Sequence, residues 1–348
     1  MSRKLALIPL VAVIAAACGG AAAPTTTSTT AASAAPTQAA ASASPSAAPY
    51  KLTVGYSETY MGELPVWYAA EKGFFAKNGL DVTLEYTASA TAIASLLSGK
   101  IDLSQGGGSE TVSADANGGD LVVIGSVVPV YPYVFLVPAS IKTIGDLKGK
   151  KVGASNPGSE SDIATRDGLT KEGLNPDSDV TMVYVGSSQN RTAALFAGSI
   201  QGGMDQPPGA LELEAKGLHV LFNEVDQKIP TINNGIIVKK SFIKAHKDVV
   251  QRYVDSIVES IAALKKDHAG GVALLTSKLK ITDPKIADAT YTFATGLFPA
   301  IPQVDPAAFS DTIKVLEKKN PKVANLNVNS LYDNEFMKSA QDRGLDKQ

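Results

Sequence analysis

Lys51-Leu52-Thr53-Val54-Gly55-Tyr56 is the stretch from which the fold of this chain is read. Leu52, Val54 and Tyr56 recur every second residue, the period of a strand that buries one face. A loop over 57–63 follows. Pro65 suits the first turn of a helix, which would run through Trp67, Ala70 and Phe74 and stop near Gly73 or Gly79. Val82, Leu84 and Tyr86 restore the two-residue period. The alternation continues with a helix over 91–97 ended by Gly99, a strand from Ile101, a helix from Ser109 to Gly118-Gly119, and a buried strand over 121–128. Strand and helix in turn predict an α/β chain with a largely parallel sheet and right-handed crossovers.

A second alternation begins after Pro138. A helical turn over 144–147 leads to a strand at 151–153, then helix 161–171, strand 180–185, helix 192–197, strand 200–204, helix 209–216 and strand 219–222. One more strand is expected at 235–238. The rest is mainly helical, with an amphipathic stretch over 242–267 whose Val249, Tyr253, Ile257, Ile261 and Leu264 share one face. The two alternations echo each other. Ala94-Ser95-Leu96-Leu97-Ser98-Gly99-Lys100-Ile101-Asp102 and Ala193-Ala194-Leu195-Phe196-Ala197-Gly198-Ser199-Ile200-Gln201 each read as a helix end, a glycine stop and entry to a strand. Such a match is common in α/β chains; placed once in each half, it suggests two lobes of similar design.

The chain of 348 residues has a formal net charge of -2 and 19% charged residues, with no basic tract, which argues against nucleic acid as a partner. Its single cysteine is Cys18, so neither a disulfide framework nor a thiolate metal site is available. The three histidines, His219, His246 and His268, lack the spacing of a zinc-binding helix, and no metal or cofactor is expected. Arg3 and Lys4, an apolar run over 5–17 and the small residues Ala15-Ala16-Ala17 before Cys18 read as a lipoprotein signal peptide over 1–17, with Cys18 the lipid-modified first residue. Ala15 stands where such motifs usually carry leucine, and an ordinary secretory peptide is the alternative. Residues 18–49 are nearly all Ala, Ser, Thr, Pro and Gly, too poor in apolar surface to fold, and read as a disordered tether spanning about 30 Å. About 300 residues remain, more than one core usually supports.

Several motifs in the body occur in an order that resembles a known family. They are Lys51 to Tyr56, Trp67-Tyr68-Ala69-Ala70-Glu71-Lys72-Gly73-Phe74-Phe75, Gly79-Leu80-Asp81-Val82, Ser98-Gly99-Lys100-Ile101-Asp102, Asp146-Leu147-Lys148-Gly149-Lys150-Lys151-Val152 and Asn234-Gly235-Ile236-Ile237-Val238. Together they resemble ABC-transporter solute-binding proteins of the group related to thiamine-pyrimidine synthesis proteins and to nitrate, sulfonate and taurine receptors. Gln201, where the second echo usually carries aspartate, and the Gly106-Gly107-Gly108 run depart from that pattern. The resemblance implies a two-lobed, type II periplasmic-binding-protein-like fold, with residues 50–137 and 232–348 forming the first lobe and 138–231 the second. It places the crossings near 133–138 and 231–238, with solute in the cleft between lobes. It further implies a monomer, lipid-anchored outside the cytoplasm, that delivers solute to an ABC permease. A sensor domain on the same fold is an alternative. The related pyrimidine-synthesis enzymes are disfavoured, because the body has no cysteine and no loop cluster contains histidine.

Loops at the strand ends that face such a cleft supply the candidate ligand residues. Glu58 and Tyr60 follow the first strand. Ser89 and Thr91 flank a helix start, where N-capping is an equally good account. Gly108 and Ser109 open a helix whose N–H groups favour an anionic group, a tight turn being the plainer account. Gly158 and Ser159 form a similar cradle, although Glu160 and Asp162 beside it discourage an anion unless they point away. Asn190 and Arg191 lie on the next loop. Arg191 is suited to pair a carboxylate or sulfonate bidentately, or else to make an interlobe or surface salt bridge. Asp205 is placed to read an amine or ring N–H. Tyr131, with Tyr133, either stacks on a planar solute or fills the hinge core. The solute class stays open among sulfonate, nitrate-like anion, aromatic carboxylate and pyrimidine.

Overall fold

The computed structural model describes residues 48–348, the side chains of 89 and 90 excepted. Cys18, the expected signal peptide and nearly all of the expected tether lie outside the described residues. Among the described residues ten strands form two sheets: β1 (Tyr50–Tyr56), β2 (Leu80–Tyr86), β3 (Leu103–Gly106), β4 (Leu121–Val130), β5 (Val134–Val137), β6 (Lys151–Ala154), β7 (Thr181–Tyr184), β8 (Gly202–Asp205), β9 (His219–Asn223) and β10 (Pro230–Lys239). The first sheet has the order β2-β1-β3-β10-β4 and the second β7-β6-β8-β5-β9.

Within each sheet the sequential strands run parallel, β1 with β2 and β3, and β6 with β7 and β8. The expected largely parallel sheets are nevertheless mixed. β10 lies antiparallel to β3 and β4, and β5 antiparallel to β8 and β9. The chain enters each lobe from the other on β5 and β10, and so arrives against the direction of the parallel set. This also corrects the expected crossings. Residues 134–137, expected in the first crossing and the first lobe, are β5 of the second sheet, and residues 231–238, expected in the second crossing, lie within β10 of the first. The segments that join the sheets are 131–133 and 224–229.

Among the described residues twelve α-helices cover the sheets: α1 (Leu64–Glu71), α2 (Phe74–Lys77), α3 (Ser89–Ser98), α4 (Gly108–Asp115), α5 (Glu160–Lys171), α6 (Ser188–Phe196), α7 (Gly209–Ala215), α8 (Lys240–Leu264), α9 (His268–Leu279), α10 (Pro284–Leu297), α11 (Ser310–Glu317) and α12 (Glu335–Asp342). The single helix expected from Pro65 through Phe74 is two, because Gly73 takes a left-handed conformation at φ 76°. Helix α8 buries Val249, Tyr253, Ile257, Ile261 and Leu264 in one core with Leu52, Val54, Leu103 and Ile236 of the first sheet. Truncating one of these aliphatic side chains to alanine costs about 2–5 kcal/mol. The second lobe has its own core around Phe135, Val152, Ile163, Leu169 and Met204.

The internal echo is a shared joint. Gly99 and Gly198 end α3 and α6 with φ of 79° and 69°. Beyond them, Asp102 accepts from its own lobe's first strand, Thr53 N–H to Oδ2 at 2.8 Å. Gln201 accepts likewise through Oε1 from Lys151 N–H at 3.3 Å, on β6, the first of the second lobe's parallel strands. The amide thus fills the place where the resemblance expects aspartate.

Candidate functional site

Between the lobes lies an inner cavity of about 40 Å³. Its walls come from the loops that follow β1 and β3 in the first lobe and β6, β7 and β8 in the second, together with Tyr133 and Asn233 at the connections. These are the carboxyl ends of the parallel strands, where open α/β sheets leave a crevice. At about 10–15 Å³ per water, the cavity has room for roughly three.

Three carboxylates converge on it. Glu58, just after β1, accepts from Ser188 of the opposite lobe, from Oγ at 2.7 Å and from N–H at 3.2 Å. Glu160, at the start of α5, reaches back to the first lobe, where its Oε1 accepts the Ser109 N–H at 3.0 Å. Its Oε2 accepts the Thr231 hydroxyl of β10 at 2.8 Å. Glu110 lies one residue along α4, its Oε2 at 3.3 Å from Ser109 Oγ. Gly107 makes room for the pair: a Cβ there would stand 2.5 Å from Glu110 Oε2 and 2.9 Å from Glu160 Cγ. Burial, and after it the Glu160 charge, pushes the Glu110 carboxyl up to about 8. Burial also raises Glu160, against the bonds from Thr231 and Ser109.

The amide cradle at Gly108 and Ser109 is therefore occupied from within. The anion at the N-terminus of α4 is Glu160, which corrects the expectation that this loop favours an anionic solute. Asp162 points away: it binds the Gly158 N–H at 2.8 Å and the Arg166 side chain at 2.8 Å.

Arg191, the one basic side chain lining the inner cavity, is 1% exposed. Its Nε donates to the Met204 carbonyl and its Nη1 to Ser155 Oγ at 2.9 Å. Its guanidinium lies 5.9 Å from the Tyr133 ring centroid. It props the second lobe's wall. A polar chain lines the hinge side of the cavity: Tyr60 donates its hydroxyl to Asn233 Oδ1 at 3.1 Å, and Asn233 Nδ2 donates to the Tyr133 hydroxyl at 2.8 Å.

Glu58, Tyr60, Ser159 and Arg191 line the inner cavity, and Ser109 closes it through Glu160. Ser159 spends its hydroxyl on the local turn, donating to the Asn156 carbonyl at 2.8 Å. Asp205 lines instead a larger outer cavity of about 630 Å³, with its oxygens filled by Thr192 Oγ1 at 2.6 Å and Gln206 N–H at 2.9 Å. The remaining candidate residues stand apart. Thr91 is exposed and donates to the Ala88 carbonyl at 3.0 Å, a local helix-start bond. Asn190 is exposed, with Nδ2 on the Val185 carbonyl at 2.7 Å. Gly108 packs under Ile232, and Gly158 turns at φ 77° away from the inner cavity. Tyr131 is buried in the second lobe's core with Tyr133 stacked on it at 6.2 Å between centroids, so it fills the hinge. The side chain of Ser89 lies outside the described atoms. Glu110, Asn233 and Ser155 join the site without a local signal: each is recruited by chain segments far away in sequence.

The NMT1/THI5-like family profile matches residues 62–269. Over 144 residues the chain is 31% identical to 4-amino-5-hydroxymethyl-2-methylpyrimidine phosphate synthase of Schizosaccharomyces pombe, covering 40% of each chain. Over 231 residues it is 25% identical to the riboflavin-binding protein RibY of Chloroflexus aurantiacus, covering 63% of this chain and 64% of that one. The chain thus spans less than two thirds of the length of either relative. Among solved structures, the alkanesulfonate-binding protein SsuA from Xanthomonas axonopodis pv. citri, bound to MOPS, superposes with a TM-score of 0.67 at 22% identity, over 83% of this chain and 100% of that one. At that identity the likeness is one of fold, and the fold is the two-lobed one of periplasmic solute-binding proteins. On a profile match over more than half its length, the chain belongs to the NMT1/THI5-like family.

Proposed function

We propose that the chain is the monomeric solute-binding component of an ABC importer, displayed outside the cytoplasm on a lipid attached to Cys18. In this reading its solute is a planar heterocycle that presents hydrogen-bond donors, an exocyclic amine, a ring N–H or hydroxyls, of the aminopyrimidine or flavin class. It lies where the inner cavity, too small at about 40 Å³ to hold it alone, joins the outer one of about 630 Å³. The observation that carries the reading is the convergence of Glu58, Glu110 and Glu160 from both lobes on one cavity. An ionised carboxylate only accepts hydrogen bonds, so Glu58 and Glu160 select a solute that donates, while Glu110, pushed up to about 8, keeps its proton at neutral pH and adds no charge there. A sulfonate or nitrate would be desolvated against like charge, and Arg191 already gives Nε and Nη1 to Met204 and Ser155. The relatives' names divide between pyrimidine and riboflavin on one side and sulfonate on the other; the charges in the cavity favour the first.

Delivery follows from the hinge. The bonds from Glu58 to Ser188 and from Glu160 to Ser109 join the lobes when they close. A solute that completes these contacts favours the closed form, which a permease can distinguish from the open one. Melting of the purified protein with 4-amino-5-hydroxymethyl-2-methylpyrimidine, riboflavin, 1-propanesulfonate and nitrate tests the class. A solute at 100 times its dissociation constant stabilises by about 2.7 kcal/mol. The heterocycles are expected to raise the melting temperature and the two anions to leave it unmoved; a shift with the anions alone overturns the reading.

A further inference from the structure

Tyr60, Ser188 and Gln206 line both the inner cavity and the outer one, so they mark the junction of the two. Two of the three have their side chains committed. Tyr60 donates its hydroxyl to Asn233, and Ser188 donates its own to Glu58. Gln206 differs. It directly follows β8, at the carboxyl end of that parallel strand, and is 5% exposed. Its backbone serves the local turn: the N–H donates to Asp205 Oδ1 at 2.9 Å, and the carbonyl accepts the Ala210 N–H at 3.1 Å. Its side-chain Oε1 is buried and has no hydrogen-bond partner among the described residues. The adjoining groups do not supply one. Pro207 and Pro208, next in the chain, carry no N–H, and Thr192 in the same wall gives its hydroxyl to Asp205 at 2.6 Å.

A glutamine that only filled space would keep its amide in water or on a protein partner, because an unpaired buried polar group is costly and rare. A buried, unmatched carboxamide at the junction of two cavities points to recognition. We infer that Gln206 is a specificity-determining residue, whose carboxamide pairs with an edge of the solute that places a donor beside an acceptor. This rests on the heterocycle reading above and narrows it to the edge that is read. Ionised Glu58 and Glu160 only accept, whereas a carboxamide carries an acceptor and a donor side by side on one planar head. Glutamine pairs in this way with the amino group and neighbouring ring nitrogen of adenine. Its terminal torsion is broad and roughly two-fold, so the head can turn either atom to the solute. The 4-amino group and ring N3 of an aminopyrimidine form such an edge, as do the N3–H and C4 carbonyl of a flavin. A sulfonate or nitrate presents acceptors alone and would leave Oε1 unmatched.

Matched pairs that differ by the donor test it: 4-amino-5-hydroxymethyl-2-methylpyrimidine against 5-hydroxymethyl-2-methylpyrimidine, and riboflavin against 3-methylriboflavin, titrated calorimetrically into the full-length protein. In at least one pair the donor-bearing member is expected to bind about tenfold tighter or more, the usual scale for a buried hydrogen bond. In Gln206→Met, which keeps the length and removes the amide, that preference falls to about twofold or less. Gln206→Leu is the second variant, and melting in the absence of solute checks that each folds. The ratio within a pair is the reading, because a merely structural role would weaken both members alike and leave it unchanged. A parent that binds both members of each pair equally, or a preference that survives both substitutions, overturns the role of Gln206 while leaving the heterocycle reading intact. If no member of either pair binds the parent, both fall together.

Discussion

Glu160, on the second lobe, accepts the backbone N–H of Ser109, on the first, at 3.0 Å. The helix end that would otherwise attract a solute's anion is thereby filled by the protein's own carboxylate. The same bond helps to draw the lobes together, and it sets the sign of charge that an incoming solute meets. Closure and selectivity share one contact.

Glu160→Gln keeps the shape and removes the charge. The Glu160 charge stands next to burial among the causes that push the Glu110 carboxyl up to about 8. In the variant, Glu110 is expected to titrate nearer the ordinary carboxylate range, as followed by the NMR shift of its side-chain carboxyl carbon. An unchanged Glu110 titration would show that the two carboxylates do not sense each other.

The raised Glu110 also makes stability depend on pH. Its native form holds a proton that the unfolded chain has already lost. The stability it contributes is therefore complete below the ordinary carboxylate range and is lost as pH rises through about 8. Glu224, buried on the connection 224–229 with both side-chain oxygens unpartnered among the described residues, acts in the same direction up to about 7. Without solute, the protein is expected to melt at a lower temperature at pH 9 than at pH 6, and Glu110→Gln to flatten the upper part of that slope. Equal slopes in the variant and the parent would remove Glu110 as the cause.

Arg191→Ala is expected to act on stability as much as on binding. The variant leaves the Met204 carbonyl and Ser155 Oγ without their donor and opens a void in the second lobe's wall beside Gly153 and Gly203. A loss of about 3 kcal/mol is expected from these two effects, enough to lower Tm by several degrees. A variant with unchanged melting but abolished binding would instead make Arg191 a direct solute ligand.

Much of the fold is legible locally because strand period, glycine stops and the echo are local. Leu52, Val54 and Tyr56 announce β1, and Gly99 and Gly198 mark the same joint in each lobe. The direction of β5 and β10 is not local: nothing within Val134–Val137 says that its neighbours run the other way. The site divides similarly. The loops after β1, β3 and β6 to β8 are readable as cleft walls. The occupant of the Ser109 amide is not, because Glu160 arrives from the other lobe; local reading sees an empty cradle and assigns it to a solute anion. Glu110 looks like a helix surface residue until Gly107 and lobe closure bring Glu160 over it.

In the proposed function, display at a membrane rests on Cys18. Cys18→Ser is expected to move the protein from the membrane fraction to the soluble extracytoplasmic fraction, and the parent to carry a lipid mass at its mature N-terminus. An unmodified parent that fractionates as the variant does would contradict lipid anchoring.

The central claim is that carboxylates from two lobes select a donor-rich heterocycle over an anion. Titration calorimetry of the protein with 4-amino-5-hydroxymethyl-2-methylpyrimidine, riboflavin and 1-propanesulfonate measures this directly. At least one heterocycle is expected to bind and the sulfonate not, with Glu160→Gln weakening the heterocycle about tenfold, or about 1.4 kcal/mol. Tight binding of the sulfonate with no heat from either heterocycle would contradict the account.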